Sequence, residues 1–124
     1  MASNSEHTLV WMDIPVADLD RALTFYRQVL NRTLDDYRPN NPMAVVRSPG
    51  GVSCALIEKP SETGQGYGPL PYFNCAGRLD QALSQAKLNG GRILQDIQSI
   101  EPYGYRAIVL DSEGNRIALH SPER

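Results

Sequence analysis

From Asp18 onward, apolar side chains fall at Leu19, Ala22, Leu23, Tyr26, Val29 and Leu30. Steps of three and four residues trace one stripe of an α-helix. Asp18 is a natural N-cap for this helix, and Asp20, Arg21, Arg27 and Gln28 supply its polar face. Ahead of it, residues 9–15 read as a short apolar strand that ends at Pro15, because proline cannot donate to a ladder. Behind it, residues 33–38, 43–47 and 52–58 read as three strands, separated by turns at 39–42 and at Pro49-Gly50-Gly51.

The same pattern then returns. Residues 59–69, rich in Gly, Pro, Ser and Thr, form a linker, and residues 70–75 read as a strand. A helix follows, with Leu79, Ala82, Leu83 and Ala86 on its stripe and a stop at Gly90-Gly91. Strands are expected over 92–100, 105–110 and 116–121. Two sequence echoes support duplication. Leu19-Asp20-Arg21-Ala22-Leu23 recurs as Leu79-Asp80-Gln81-Ala82-Leu83, and the segment 44–56 recurs as 107–119, with Ala44/Ala107, Val46/Val109, Gly51/Gly114, Ala55/Ala118 and Leu56/Leu119 identical. The expected organisation is a βαβββ module over 9–58, a linker over 59–69 and a second βαβββ module over 70–121. Each module forms a mixed sheet with one helix outside. Two such open sheets must curl together or pair with another chain to protect their inner faces.

Composition narrows the function. The 124 residues are 41% hydrophobic and 21% charged, as expected for one globular domain that needs neither disulfides nor a structural metal to fold. Cys54 and Cys75 are too few for a disulfide framework or a paired Cys-x-x-Cys zinc site, and alternation puts both beneath the helices as inert thiols. Twelve basic against 14 acidic residues, with no cationic cluster, argue against nucleic acid. No apolar run is long enough to span a membrane, and residues 1–6 lack the features of a signal peptide, so the expected location is the cytoplasm.

Two motifs carry a resemblance. Pro15-Val16-Ala17-Asp18-Leu19-Asp20-Arg21-Ala22-Leu23-Thr24-Phe25-Tyr26-Arg27-Gln28-Val29-Leu30 resembles the opening helix of the glyoxalase, bleomycin-resistance and extradiol-dioxygenase superfamily, the vicinal oxygen chelate proteins. Asp111-Ser112-Glu113-Gly114-Asn115-Arg116-Ile117-Ala118-Leu119 is similar to that family's final turn and strand. The resemblance covers about residues 9–121. It implies an α+β fold of two tandem βαβββ modules around a central cavity, in which the family's enzymes hold a divalent metal with His and Glu from the first and last strands of each module. In this chain those positions fall at Trp11, Ala55, Leu70 or Pro71, and Ala118. Indole, methyl and aliphatic groups cannot bind a metal, so neither metal nor other cofactor is expected. The only histidines are His7 and His120, and His7 reads as a solvated terminal residue.

Strand alternation completes the list of candidates. With Val10, Met12 and Ile14 beneath one helix, and Ile117 and Leu119 beneath the other, the cavity face receives Trp11, Asp13, Ser53, Ala55, Ile57, Tyr72, Asn74, Arg116, Ala118 and His120. Tyr103 belongs to a segment that would cover the mouth. An apolar and aromatic lining with a few polar groups suits a small organic molecule. Each candidate also has a plainer structural reading: Trp11 as a core filler, Asp13 as a solvated or turn-bonding carboxylate, His120 as a strand-end residue and Tyr103 as surface packing. Three functions follow. The first is metal-independent binding of a small organic molecule. The second is isomerase or lyase chemistry without a metal, or with an unusual set such as Asp13 and His120. The third is a dimeric assembly module, since a homodimer is the family-level expectation.

Overall fold

In a computed structural model that describes residues 8–9, 11–50, 53–64 and 68–124, the anticipated first helix runs over Leu19–Leu30 (α1). Asp18 caps it as expected, accepting the Arg21 backbone N–H at 3.1 Å, and Asn31 ends it in the left-handed conformation at φ 52°. Phe25 joins the expected stripe as a fully buried residue, packed edge-to-face on Tyr26.

Strands β1 (Met12–Val16), β2 (Leu34–Asp36), β3 (Met43–Val46) and β4 (Cys54–Glu58) make one sheet in the order β1-β4-β3-β2. A short 3₁₀ turn at Pro60–Glu62 leads out of it. The second module repeats the order as β5-β8-β7-β6, from β5 (Tyr72–Asn74), α2 (Leu79–Leu88), β6 (Arg92–Ser99), β7 (Tyr105–Leu110) and β8 (Arg116–Ser121). In both modules the first strand runs parallel to the fourth, and the remaining pairs are antiparallel. The duplicated βαβββ architecture read from the sequence is therefore present. One expectation needs correcting: Pro15 lies inside β1 rather than at its end. The strand tolerates it because β1 is a sheet edge with one side unpaired. Val10 and Val52, expected in strands, lie outside the described residues.

Both helices lie on the same side of the paired sheets and touch each other, so one core serves both modules. Ile14, Leu56 and Val46 of the first sheet and Ile117, Leu119 and Val109 of the second all belong to it. Close approach matters at Gly91. A Cβ there would lie 2.7 Å from the Ala86 carbonyl oxygen and 2.8 Å from both the Leu110 carbonyl oxygen and the Phe25 ring. Two of these neighbours are backbone and cannot swing aside. Gly91→Ala is expected to cost about 2–3 kcal/mol of stability, read as a lower urea midpoint at unchanged slope.

The module junction is polar and buried. The turn Asp111–Asn115 of the second module reaches the start of α1 in the first. Asp111 accepts from the Tyr26 hydroxyl at 2.6 Å, the Glu113 and Asn115 backbone N–H groups at 2.8 Å each, and Asn115 Nδ2 at 3.1 Å. Glu113 accepts the Ala17 and Asp18 N–H groups at 2.9 Å each and a two-point contact from Arg21 at 2.6 and 2.8 Å. Glu58 takes the Leu19 N–H at 3.0 Å. With the Asp18 cap, Glu58 and Glu113 thus put three carboxylates at the positive end of the α1 dipole. At the other end of α1, Arg78 of the second module donates to the Val29 carbonyl at 2.6 Å.

Candidate functional site

With the helices covering one side, the other side of each sheet is defined by register. In the first sheet Asp13 pairs with Ala55 and Pro15 with Ile57, while Val45 and Met43 stand opposite Ala55 and Ile57. In the second, Tyr72 pairs with Ala118 and Asn74 with His120. Ala55 and Ala118 are fully buried yet stand outside the helix-side core, as expected for small residues in the middle of the opposite face. Since Ala55 and Ala118 are equivalent in the repeat, Asp13 corresponds to Tyr72 and Trp11 to Leu70. The sequence left Leu70 and Pro71 open, and the register selects Leu70.

These four positions do not suit a metal. Trp11, Ala55, Leu70 and Ala118 present no lone pair that binds a hard or borderline cation. Among the described residues no group of three or more His, Cys, Asp or Glu side chains comes together as such a site would require. Asp13 and His120 have different strand partners, Ala55 for one and Asn74 and Arg106 for the other.

The second sheet's open face forms three rows across the strands. One runs Gln98, Arg106, His120, Asn74; the next Gln95, Ile108, Ala118, Tyr72; the third Arg92, Leu110, Arg116. Arg106 sits 5.8 Å from the Tyr72 ring centroid and donates to its hydroxyl. His120 Nε2 donates to the Tyr103 carbonyl at 2.6 Å, so it is the Tyr103 backbone that meets the site, while the residue itself is 73% exposed. Asn74 Oδ1 is occupied by the Ala76 N–H at 2.9 Å. On the first sheet the Asp35–Arg47 pair, at 2.6 Å, cancels its own charge.

Among the described residues two clefts lie near these faces, the larger of them with an apolar lining drawn mainly from the helix-side core. The larger, about 390 Å³, opens where the start of β1, the end of α1 and β5 meet, and is lined by Met12, Leu30, Val46, Cys54, Leu70 and Phe73 with Ser53, Tyr72 and Asn74 at its polar side. The smaller, about 220 Å³, lies between β1 and the start of β8 and takes in Asp13 and Arg116. The expected lining residues are therefore distributed. Ser53, Tyr72 and Asn74 share one cleft and Asp13 and Arg116 the other, while Ala55, Ile57, Ala118 and His120 are placed on the open sheet faces. Trp11 is partly buried just ahead of β1. Ser53 Oγ donates to the Val46 carbonyl.

Cys54 and Cys75 are buried on the helix side, and burial pushes the Cys54 thiol up to about 12 and raises that of Cys75. Both are unreactive as thiolates. Arg106, Arg92 and Gln95 were missed by the sequence reading. The signal existed: with Ala107 and Val109 in the core, period-two alternation sends Arg106, Ile108 and Leu110 to the open face.

A sequence model of the Glyoxalase/Bleomycin resistance protein/Dioxygenase superfamily matches residues 7–119. Among solved structures, a glyoxalase/bleomycin resistance protein from Albidiferax ferrireducens T118 aligns with TM-score 0.75 at 18% identity, covering 93% of this chain and 98% of that one. The hypothetical protein SA1046 from S. aureus aligns with TM-score 0.71 at 19% identity, covering 91% and 92%. The genomically encoded fosfomycin resistance protein FosX from Listeria monocytogenes aligns with TM-score 0.71 at 15% identity, covering 93% of each chain. No curated protein matches significantly. Among the described residues no helix is long and apolar enough to cross a membrane. The duplicated βαβββ fold and a family match spanning nearly the whole chain make this protein a member of the glyoxalase/bleomycin resistance protein/dioxygenase superfamily.

Proposed function

We propose that the protein binds a small organic molecule on the open side of its sheets and does so without a metal ion. The observation that carries this reading is the donor-free set Trp11, Ala55, Leu70 and Ala118 at the positions the family resemblance assigns to metal ligands. Removing the ligands removes Lewis-acid chemistry but leaves a surface of mixed apolar, aromatic and polar groups, which is what small-molecule recognition needs. The half-buried faces of both sheets also favour a homodimer, and two unpaired buried thiols fit a cytoplasmic protein.

Trp11 is the only tryptophan in the chain, so its fluorescence reports on this region. Screening a library of small organic compounds is expected to yield ligands that quench Trp11 and raise the melting temperature, with identical titrations before and after dialysis against chelator. Trp11→Ala should abolish binding while the fold persists. Global unfolding of that variant would instead make Trp11 a core filler, and stoichiometric Zn, Ni, Mn or Fe surviving dialysis would overturn the metal-free reading.

A further inference from the structure

We infer that the open face of the second sheet recognises an oxyanion, so that the small molecule is an organic anion: a carboxylate, phosphonate or phosphate with an apolar body. The inference rests on the small-molecule reading above and specifies its ligand.

Among the described residues, three buried side-chain atoms lack a hydrogen-bond partner: Gln95 Oε1, Arg106 Nε and Arg116 Nε. They come from three strands, β6, β7 and β8, and register puts all three residues on the same face. Buried polar atoms are normally satisfied, so such a coincidence on one surface marks a place built for a partner. Two of the three are guanidinium donors.

Charge supports the same assignment. The rows of this face hold Arg92, Arg106 and Arg116, with Gln95, Gln98, Asn74, Tyr72 and His120 around them; no paired position in them is Asp or Glu, and the nearby carboxylates are Asp96 in the β6 bulge and Asp13 and Glu62 along the smaller cleft beside Arg116. Among the described residues none of the three arginines has a carboxylate partner, whereas Arg21, Arg38 and Arg47 elsewhere in the chain all do. The Tyr72 hydroxyl engages one terminal nitrogen of Arg106 and holds the guanidinium against the ring. The edge carrying Nε–H is unpaired but buried, so an oxyanion reaches it by shifting the Arg106 side chain and gains there a two-point contact, the geometry in which a guanidinium fork is strongest. Among the described residues Arg116 has only a long contact, 3.4 Å, to the Gly68 carbonyl. Between the two arginines the floor is Ile108, Ala118 and Leu110, which can receive an apolar body but no further charge.

The test is calorimetric titration of the intact protein with phenylphosphonate, benzoate and neutral benzamide, which share one ring. Phenylphosphonate and benzoate are expected to bind and benzamide at least tenfold more weakly. Arg106→Gln and Arg116→Gln should each weaken the anions tenfold or more, while Arg47→Gln, on the first sheet, changes nothing. Melting curves check that each variant folds, and if Arg106→Gln does not, Arg116→Gln decides. Equal binding of all three compounds, untouched by either arginine variant, would keep the small-molecule reading and overturn the anion preference. Binding of none would overturn both. If the arginine variants leave anion affinity intact but turn a dimer into a monomer in sedimentation, the arginines serve a second copy of this chain and the proposal fails.

Discussion

Asp111→Ala is expected to lower folding stability by about 3–5 kcal/mol, a large share of what a domain of this size possesses. Asp111 is 2% exposed and accepts four hydrogen bonds, one of them from the fully buried Tyr26 hydroxyl in the other module. Truncation leaves that hydroxyl and two backbone N–H groups without their acceptor in a dry site. Tyr26→Phe should cost less, about 1–2 kcal/mol, because Asp111 keeps three donors. In a double-mutant cycle the two changes should couple by at least about 1 kcal/mol, since they remove one interaction from a shared network. Urea unfolding measures all three variants. A loss under about 1 kcal/mol for Asp111→Ala would mean that the turn does not hold the modules together.

Glu113→Gln is expected to flatten the acid limb of the stability curve. Although burial opposes its ionisation, Arg21 and the N–H groups of Asp18 and Ala17 hold the Glu113 carboxyl down at about 2, against an ordinary 4.5. A carboxyl depressed on folding adds stability that is fully present above the ordinary value and is lost as pH falls from about 4.5 to about 2. That difference corresponds to roughly 3 kcal/mol, and to about 2 kcal/mol once screening of Arg21, whose side chain is 51% exposed, is allowed for. Asp111 acts in the opposite sense. Its desolvation raises its pKa despite its hydrogen bonds, so protonating it favours the folded state. Asp36, held at about 2 by hydrogen bonds from Arg38, contributes in the same sense as Glu113 but is common to both proteins, so comparison with Glu113→Gln isolates Glu113. The variant should be less stable by about 2 kcal/mol at neutral pH and nearly equal to wild type near pH 2. Parallel curves for the two proteins across this range would refute the role assigned to Glu113.

The fold was largely legible because it rests on local periodicity. The α1 stripe, the Asp18 cap and the alternation along β4 and β8 are properties of neighbouring residues, and the duplication made each module a check on the other. The junction was not legible. The motif from Asp111 to Asn115 marked the family, but its physical role depends on Tyr26 and Arg21, more than eighty residues away, and no periodicity links such positions. The site lies between these cases. Faces for Ala55, Ala118, Tyr72 and His120 followed from alternation, while the clefts did not, because they form where two modules meet. Arg106 was within reach of the same alternation along β7, whereas Gln95 needed the register of β6, which two bulges shift and a simple alternation misplaces.

The proposed metal-independent binding of an organic anion rests on the donor-free positions and the arginine-framed face. The most direct measurement is titration of chelator-treated protein with phenylphosphonate in metal-free buffer. Saturable binding, unchanged when zinc or manganese is restored, is the predicted result. Binding that disappears with the chelator and returns with the metal would contradict it.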